Sequence, residues 1–240
     1  IPTTSGTGSE VTPVSVISDP STGVKSPISS NNFYPTYAII DPILTLTVPK
    51  HITASTGMDA LAHALEGFWS KNHQPICDAL ALHSAKIIFD SLLDAYDNGM
   101  DLKAREKMSE ASIISGLAFS LPKTAGSHAC SYPLTSLYNI PHGEACAFTL
   151  DAFTRINASA EDGRLNCFSR QLGLTDAYEM ADKILSMKKH MGLKITLKDA
   201  AIKHEDLGKL AELSQHPNML NNPVEMGYDD ILKMYKSLDR

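Results

Sequence analysis

Cysteine is scarce: four residues in 240, at positions 77, 130, 146 and 167, with no CxxC spacing. That argues against a disulfide scaffold and for a reducing compartment, with the thiols packed as small apolar side chains. No stretch approaches the roughly 18 apolar residues of a membrane span, and no signal-peptide pattern opens the chain. The expected location is the cytoplasm. Positive charge is also short, with 21 Lys and Arg against 27 Asp and Glu and a net charge of −6. Without a clustered basic run, a nucleic-acid surface is excluded, leaving small molecules and other copies of the chain as partners. Glycine is not arranged as a phosphate-binding fingerprint, since Gly6 and Gly8 are too few and wrongly placed for a Rossmann unit. The chain also opens on Ile1-Pro2-Thr3-Thr4 without an initiator Met.

Hydrophobic residues make up 43% of the chain, enough for a packed core. Strand-like content is confined to the start. Residues 11–17 mix β-branched side chains, Asp19 to Gly23 reads as a turn, and Tyr37 to Asp41 reads as a returning strand. From Pro49 onward apolar residues recur at three- and four-residue spacing. Helices are expected over 53–69, 76–97, 102–120, 126–138 and 143–157, with shorter ones between 159 and 236. The fold class is therefore mostly α, with a strand-and-loop segment over 1–48 and a helical body over 49–240. Lys188, Lys189 and His190 read as a solvated helix end near Gly192, where positive charge suits the dipole. His51, His73, His83, His190, His204 and His216 receive no function.

Asp59 and His63 carry the strongest chemical signal. Four residues apart in an Ala- and Leu-rich run, they emerge on one helix face a turn apart, and one cation can touch both. The same spacing also suits a plain surface pair. His128 and His142 lie far downstream. One carboxylate with three imidazoles suits a borderline divalent ion, Fe²⁺ or Zn²⁺, rather than Mg²⁺ or Ca²⁺. Such a shell leaves room for a reactive oxygen as a further ligand.

Four motifs occur in one order: IPTTSGTGSEVT at 1–12, Asp41-Pro42, TGMDALAHALE at 56–66, and YNIPHG at 138–143. This succession resembles the iron-containing alcohol dehydrogenases, which share a fold with glycerol dehydrogenase and dehydroquinate synthase. The resemblance runs from residue 1 to about residue 157 and then fades. It implies a helical metal domain over 49–240, a remnant of the α/β nucleotide-binding domain over 1–48, and a chain that is the carboxy-terminal part of a longer one. It also implies Asp59, His63, His128 and His142 as the metal ligands, in the pattern of the iron-type branch.

The resemblance further implies NAD or NADP as hydride carrier, an alcohol or aldehyde substrate, and often a homodimer. Thr3, Thr4 and Thr7 match positions bordering the dinucleotide, and Lys25 matches one on its ribose side. Phe119 matches a residue lining the nicotinamide and substrate pocket. Many members have a second His four residues after His128, with a part in proton transfer; here that position is Tyr132, which either relays a proton through its hydroxyl or shapes the pocket. Lys123 offers positive charge to an acidic substrate. The phrases around His128 and His142 look most like phosphonoacetaldehyde reductase-like members. Two other readings compete: a non-catalytic metal-binding or assembly domain, and a metal-dependent hydrolase. Against the hydrolase, no adjacent His–carboxylate dyad is visible in the sequence.

Overall fold

A computed structural model describes residues 1–18 and 25–239. Two strands, β1 (Val14–Ser18) and β2 (Lys25–Ser29), pair antiparallel in the register Val14↔Ser29 to Ser18↔Lys25. The turn expected at Asp19 to Gly23 lies outside the described residues. Tyr37 to Asp41 is not a strand. Among the described residues that segment has no strand to pair with, and Asp41 turns the chain instead, its Oδ1 accepting from the Ile43 amide at 3.0 Å to cap a 3₁₀ turn over Pro42–Thr45.

The body consists of helices α1 (Lys50–Trp69), α2 (Pro75–Asp97), α3 (Leu102–Ser120), α4 (Gly126–Tyr138), α5 (His142–Asn157), α6 (Arg164–Gln171), α7 (Ala177–His190), α8 (Leu207–Leu213) and α9 (Tyr228–Ser237). The first starts three residues earlier than expected, with Pro49 as the extended residue before it. Among the described residues no helix is long and apolar enough to cross a membrane.

Helix α1 is the centre of the packing. From Thr53 to Trp69 almost every residue is buried, including Asp59, His63 and Glu66. A helix buried all round has no solvent face for its ionisable groups. Helices α2, α3 and α5 surround it. Its start is tied to α3 by the buried Arg105, whose guanidinium donates to Thr53 Oγ1 at 2.8 Å, Gly99 O at 2.9 Å and Val48 O at 3.1 Å.

Helix α5 crosses α1 at backbone contact. A Cβ on Gly143 would stand 2.1 Å from the Ser55 carbonyl oxygen and 2.9 Å from Asp59 Cβ, so only glycine permits this approach. The Glu144 amide also donates to Ser55 Oγ at 3.1 Å. At the other side a Cβ on Gly126 would meet the Phe153 ring at 2.2 Å, which sets the start of α4 against α5. The first turns of α4 and α5 thereby converge on the middle of α1.

The basic cluster at the end of α7 is not wholly solvated. Lys188 is fully buried, its ammonium donating to Ala147 O at 2.9 Å, Phe148 O at 3.2 Å and the Asp151 carboxylate. It faces α5 because α7 packs on that helix, whereas His190 stays at the surface beside Asp97 at 2.9 Å. Three cysteines are buried as expected, but Cys167 is exposed on the outer side of α6, where Arg170 donates to its sulfur at 3.1 Å.

Candidate metal centre

Three helices supply the site: α1 carries Asp59, His63 and Glu66, α4 carries His128, and α5 carries His142 and Cys146. Donor atoms of Asp59, His128, His142 and Cys146 all lie within 4.8 Å of one another. Asp59 Oδ1 is 3.7 Å from His128 Nε2 and 3.8 Å from His142 Nε2. Asp59 and His128 are 3% and 4% exposed, yet Asp59 Oδ1 and His128 Nε2 have no hydrogen-bond partner. Burying two such atoms unpaired is costly, and an ion between them removes that cost. The donor set fits the borderline divalent ion expected from the sequence. The His142 side chain is 43% exposed, so the centre opens on that side.

Each imidazole is oriented from its far nitrogen. His128 Nδ1 donates to Glu66 Oε2 in a short contact, while Glu66 Oε1 accepts from the Ser127 amide at 2.6 Å and the His128 amide at 3.3 Å. Glu66 thus satisfies the open amides at the start of α4 and also fixes the tautomer that leaves His128 Nε2 bare. Ser131 Oγ donates to His128 O at 2.8 Å and accepts from His142 Nδ1 at 3.3 Å. His63 Nδ1 donates to Gly6 O at 3.2 Å.

His63 stands beside the compact group rather than inside it. Its ring stacks between Phe119, at 4.1 Å between centroids and 11° between planes, and His128, at 4.7 Å and 28°. The 1–12 loop is laid over the centre through that Gly6 contact. Within it Thr3 and Thr7 are exposed, Thr4 is half-buried, and Thr7 Oγ1 accepts from the Ser9 amide at 3.2 Å. The side chain of Lys25, in β2, lies outside what is described. Lys123 takes a left-handed backbone with φ 67° and donates to Ser120 O at 2.8 Å.

The electrostatics are those of a coupled cluster. Burial alone raises the Asp59 carboxyl, but the His63, His142 and His128 rings outweigh it and hold the group below its usual range. Burial pushes His63 down to about 4 against the pull of Asp59. His128 carries the same burial cost, yet Cys146 and Glu66 hold it well above an ordinary imidazole. His142 is raised chiefly by Cys146, and Cys146, despite its burial, is lowered by the two imidazoles.

Tyr132 lies on the open side, its ring 6.4 Å from that of His142 and 4.6 Å from that of His216. Asn218 Nδ2 donates to its hydroxyl at 3.4 Å and to Thr124 Oγ1 at 2.8 Å. Burial raises the phenol further above neutrality, so it stays protonated. Sequence reasoning missed three residues here. Glu66 sat inside the quoted 56–66 motif, Cys146 follows His142 by one helical turn, and His216 caps a 3₁₀ turn at Pro217–Asn221 that no local pattern links to the site. The His128–Glu66 pair is also a buried dyad that the sequence did not reveal. It does not favour hydrolysis, since its free nitrogen faces Asp59 and its carboxylate is fully buried.

Comparison with known proteins places this geometry among relatives. The model of the Fe-containing alcohol dehydrogenase family, C-terminal part, matches residues 53–238, and that of iron-containing alcohol dehydrogenase matches residues 1–42. The match extends well past residue 157, where the distinctive motifs end. A 1-propanol dehydrogenase of Salmonella typhimurium is 47% identical over 158 residues, 66% of this chain and 43% of that protein. A 1,3-propanediol dehydrogenase of Citrobacter freundii is 35% identical over 98% of this chain and 63% of its own length. The crystal structure of sulfoacetaldehyde reductase from Bifidobacterium kashiwanohense in complex with NAD⁺ superposes with a TM-score of 0.96 at 54% identity, covering 99% of this chain and 63% of that one. The chain therefore spans about two fifths to two thirds of the length of these relatives.

Proposed function

We propose that this chain, which belongs to the iron-containing alcohol dehydrogenase family, is the metal-bearing part of an oxidoreductase that moves a hydride between a nicotinamide cofactor, NAD or NADP, and a small alcohol or aldehyde. The observation that carries the reading is the pair of buried, unpartnered donors, Asp59 Oδ1 and His128 Nε2, facing each other at 3.7 Å beside His142. Asp59, His63, His128 and His142 are the proposed protein ligands of Fe²⁺ or Zn²⁺. When bound, such an ion supplies Lewis acidity toward the substrate oxygen, and the nicotinamide supplies or accepts the hydride.

The chain's own residues do the rest. Asp59 contributes the negative charge that offsets the ion, and Glu66 holds the His128 ring so that Nε2 stays bare. The open side at His142 is where substrate enters, with Tyr132 as the wall and the donor of a hydroxyl proton. Phe119 fixes the His63 ring by stacking and borders the nicotinamide. Thr3, Thr4 and Thr7 in the loop over the centre offer hydroxyls to the dinucleotide, and Lys25 is assigned to its ribose side. The likeness to the sulfoacetaldehyde reductase supports an aldehyde with an anionic tail, in line with the phosphonoacetaldehyde reductase-like motifs.

Four free cysteines, three of them buried, fit a cytoplasmic protein. Half of the large apolar side chains exposed among the described residues lie within residues 1–44, Phe33, Tyr37 and Ile39 among them, which supports burial of that face in a homodimer or against further protein. The test is metal analysis of anaerobically purified protein beside Asp59→Ala. A stoichiometric iron or zinc content lost in the variant is expected; no metal in either would overturn the reading in favour of a non-catalytic domain.

A further inference from the structure

One segment far from the three ligand helices in sequence reaches the open side of the centre: the 3₁₀ turn Pro217–Asn221, with His216 at its head. The turn is pinned to the connection after α1 and to the start of α4. The Lys71 amide donates to Asn221 O at 2.8 Å, Asn221 Nδ2 donates to Thr124 O at 2.8 Å, and Asn218 Nδ2 bridges Thr124 Oγ1 and the Tyr132 hydroxyl. Such anchoring fixes where His216 and Asn218 stand. The Tyr132 ring touches both sides, 6.4 Å from the His142 ring and 4.6 Å from the His216 ring, so it links the centre to the turn. His216 Nδ1 accepts from the Asn218 amide at 3.2 Å, which leaves the ring proton on Nε2. Among the described residues neither that Nε2–H nor the Tyr132 O–H meets an acceptor. His216 is half-buried, and burial, with no carboxylate contributing, holds it below an ordinary imidazole. Two uncommitted donors on a partly dry wall, away from negative charge, suit an oxyanion.

We propose that His216 and Tyr132 bind the tail of the substrate, that Asn218 positions the phenol for this, and that the tail is a tetrahedral oxyanion, a sulfonate or phosphonate on a short carbon chain. This rests on the oxidoreductase reading for the reacting end of the substrate and adds the residues that select the other end. His216 Nε2–H and the Tyr132 O–H donate to separate oxygens of the tail. Asn218 occupies a lone pair of the Tyr132 oxygen, which turns the O–H away from the turn's own amide and toward the ligand. An uncharged alcohol such as 1-propanol offers this wall only a methyl group. Its binding would leave both donors unpaired, and the turn therefore discriminates against it.

Binding tests this without any need for turnover. Zinc-loaded protein carrying nitrogen-15 histidine is titrated with 2-hydroxyethanesulfonate, 2-hydroxyethylphosphonate and 1-propanol, and followed by NMR. At least one oxyanion should bind about tenfold or more tightly than 1-propanol and shift the His216 Nε2 resonance; the tighter of the two identifies the headgroup. His216→Asn keeps a side chain able to cap the turn but withdraws the ring donor. Asn218→Asp keeps the shape, takes up the Tyr132 hydroxyl hydrogen and adds negative charge. Each should weaken oxyanion binding about 10- to 100-fold and leave 1-propanol binding unchanged. Oxyanion affinity no better than that of 1-propanol, affinity unchanged in both variants, or an equal loss for 1-propanol, which would mark a merely structural role, overturns the proposal. Ethanesulfonate has no hydroxyl for an ion and should shift His216 even in zinc-free protein. Protein that takes up no zinc therefore counts against the metal reading, whereas a His216 resonance indifferent to ethanesulfonate counts against the tail subsite.

Discussion

Replacing Gly143 with Ala tests how the centre is built. The added methyl would sit 2.1 Å from Ser55 O, 2.8 Å from Ser55 C and 2.9 Å from Asp59 Cβ, and the first two of these are backbone atoms that cannot rotate away. Carbon needs roughly 3.5 Å from its neighbours, so the start of α5 must move off α1 by about 1 Å. His142 is the residue before Gly143, and its donor moves with it. Metal–ligand distances tolerate about 0.2 Å, so this displacement is enough to take His142 out of the shell. Misplacement on the scale of 1 Å costs about 100-fold where geometry governs function. The stability cost is smaller: overpacking takes about 1–3 kcal/mol, and the better helix propensity of Ala returns up to about 1 kcal/mol. Gly143→Ala is therefore expected to remain folded, to lose about 1–2 kcal/mol in denaturant unfolding of the metal-free protein, and to bind Zn²⁺ at least tenfold more weakly in competition with a chromophoric chelator. Wild-type zinc affinity in a folded Gly143→Ala protein would refute the claim that this contact positions His142.

Three further outcomes follow from the same structure. Glu66→Gln keeps the shape but removes the charge behind His128, and zinc affinity should fall about 10- to 100-fold by the same chelator competition, with an unchanged helical circular dichroism spectrum. Arg105→Met strips three hydrogen bonds from the joint between α1 and α3; a loss of about 2–4 kcal/mol is expected in urea unfolding, and less than 1 kcal/mol would show the joint to be dispensable. His63 titrates near 4 in the folded chain because burial opposes its charge. Its folded pKa lies below the unfolded value of about 6.5, so it contributes stability above that pH, and the contribution drains away as pH falls from about 6.5 to about 4. In metal-free protein, His63→Phe should therefore lose less stability between pH 7 and pH 5 than the parent; equal slopes in paired urea titrations would contradict the buried, neutral assignment.

Much of this molecule could be read locally. Helix periodicity is a property of neighbours three and four residues apart, which is why α2 to α5 begin and end within a residue of their expected limits. Asp59 and His63 were legible for the same reason. The 37–41 segment was misread because β-branched and aromatic residues make a strand only when another strand is present to pair with. Lys188 was misread because a basic residue at a helix end is exposed by default, and only the packing of α7 on α5 turns it toward Asp151.

The sequence by itself determined the helical class, the i,i+4 spacing of Asp59 and His63 on one face of α1 and the ordered motifs of an alcohol dehydrogenase family. The tertiary structure alone decided which atoms meet. Glu66 reaches His128 across 62 positions, and Cys146 joins the donor group while His63 stacks beside it. The reason is physical: spacing along a helix sets the direction of a side chain, but its distance from a side chain on another helix is set by how closely the two backbones approach. Here that distance depends on a glycine at the crossing of α5 over α1.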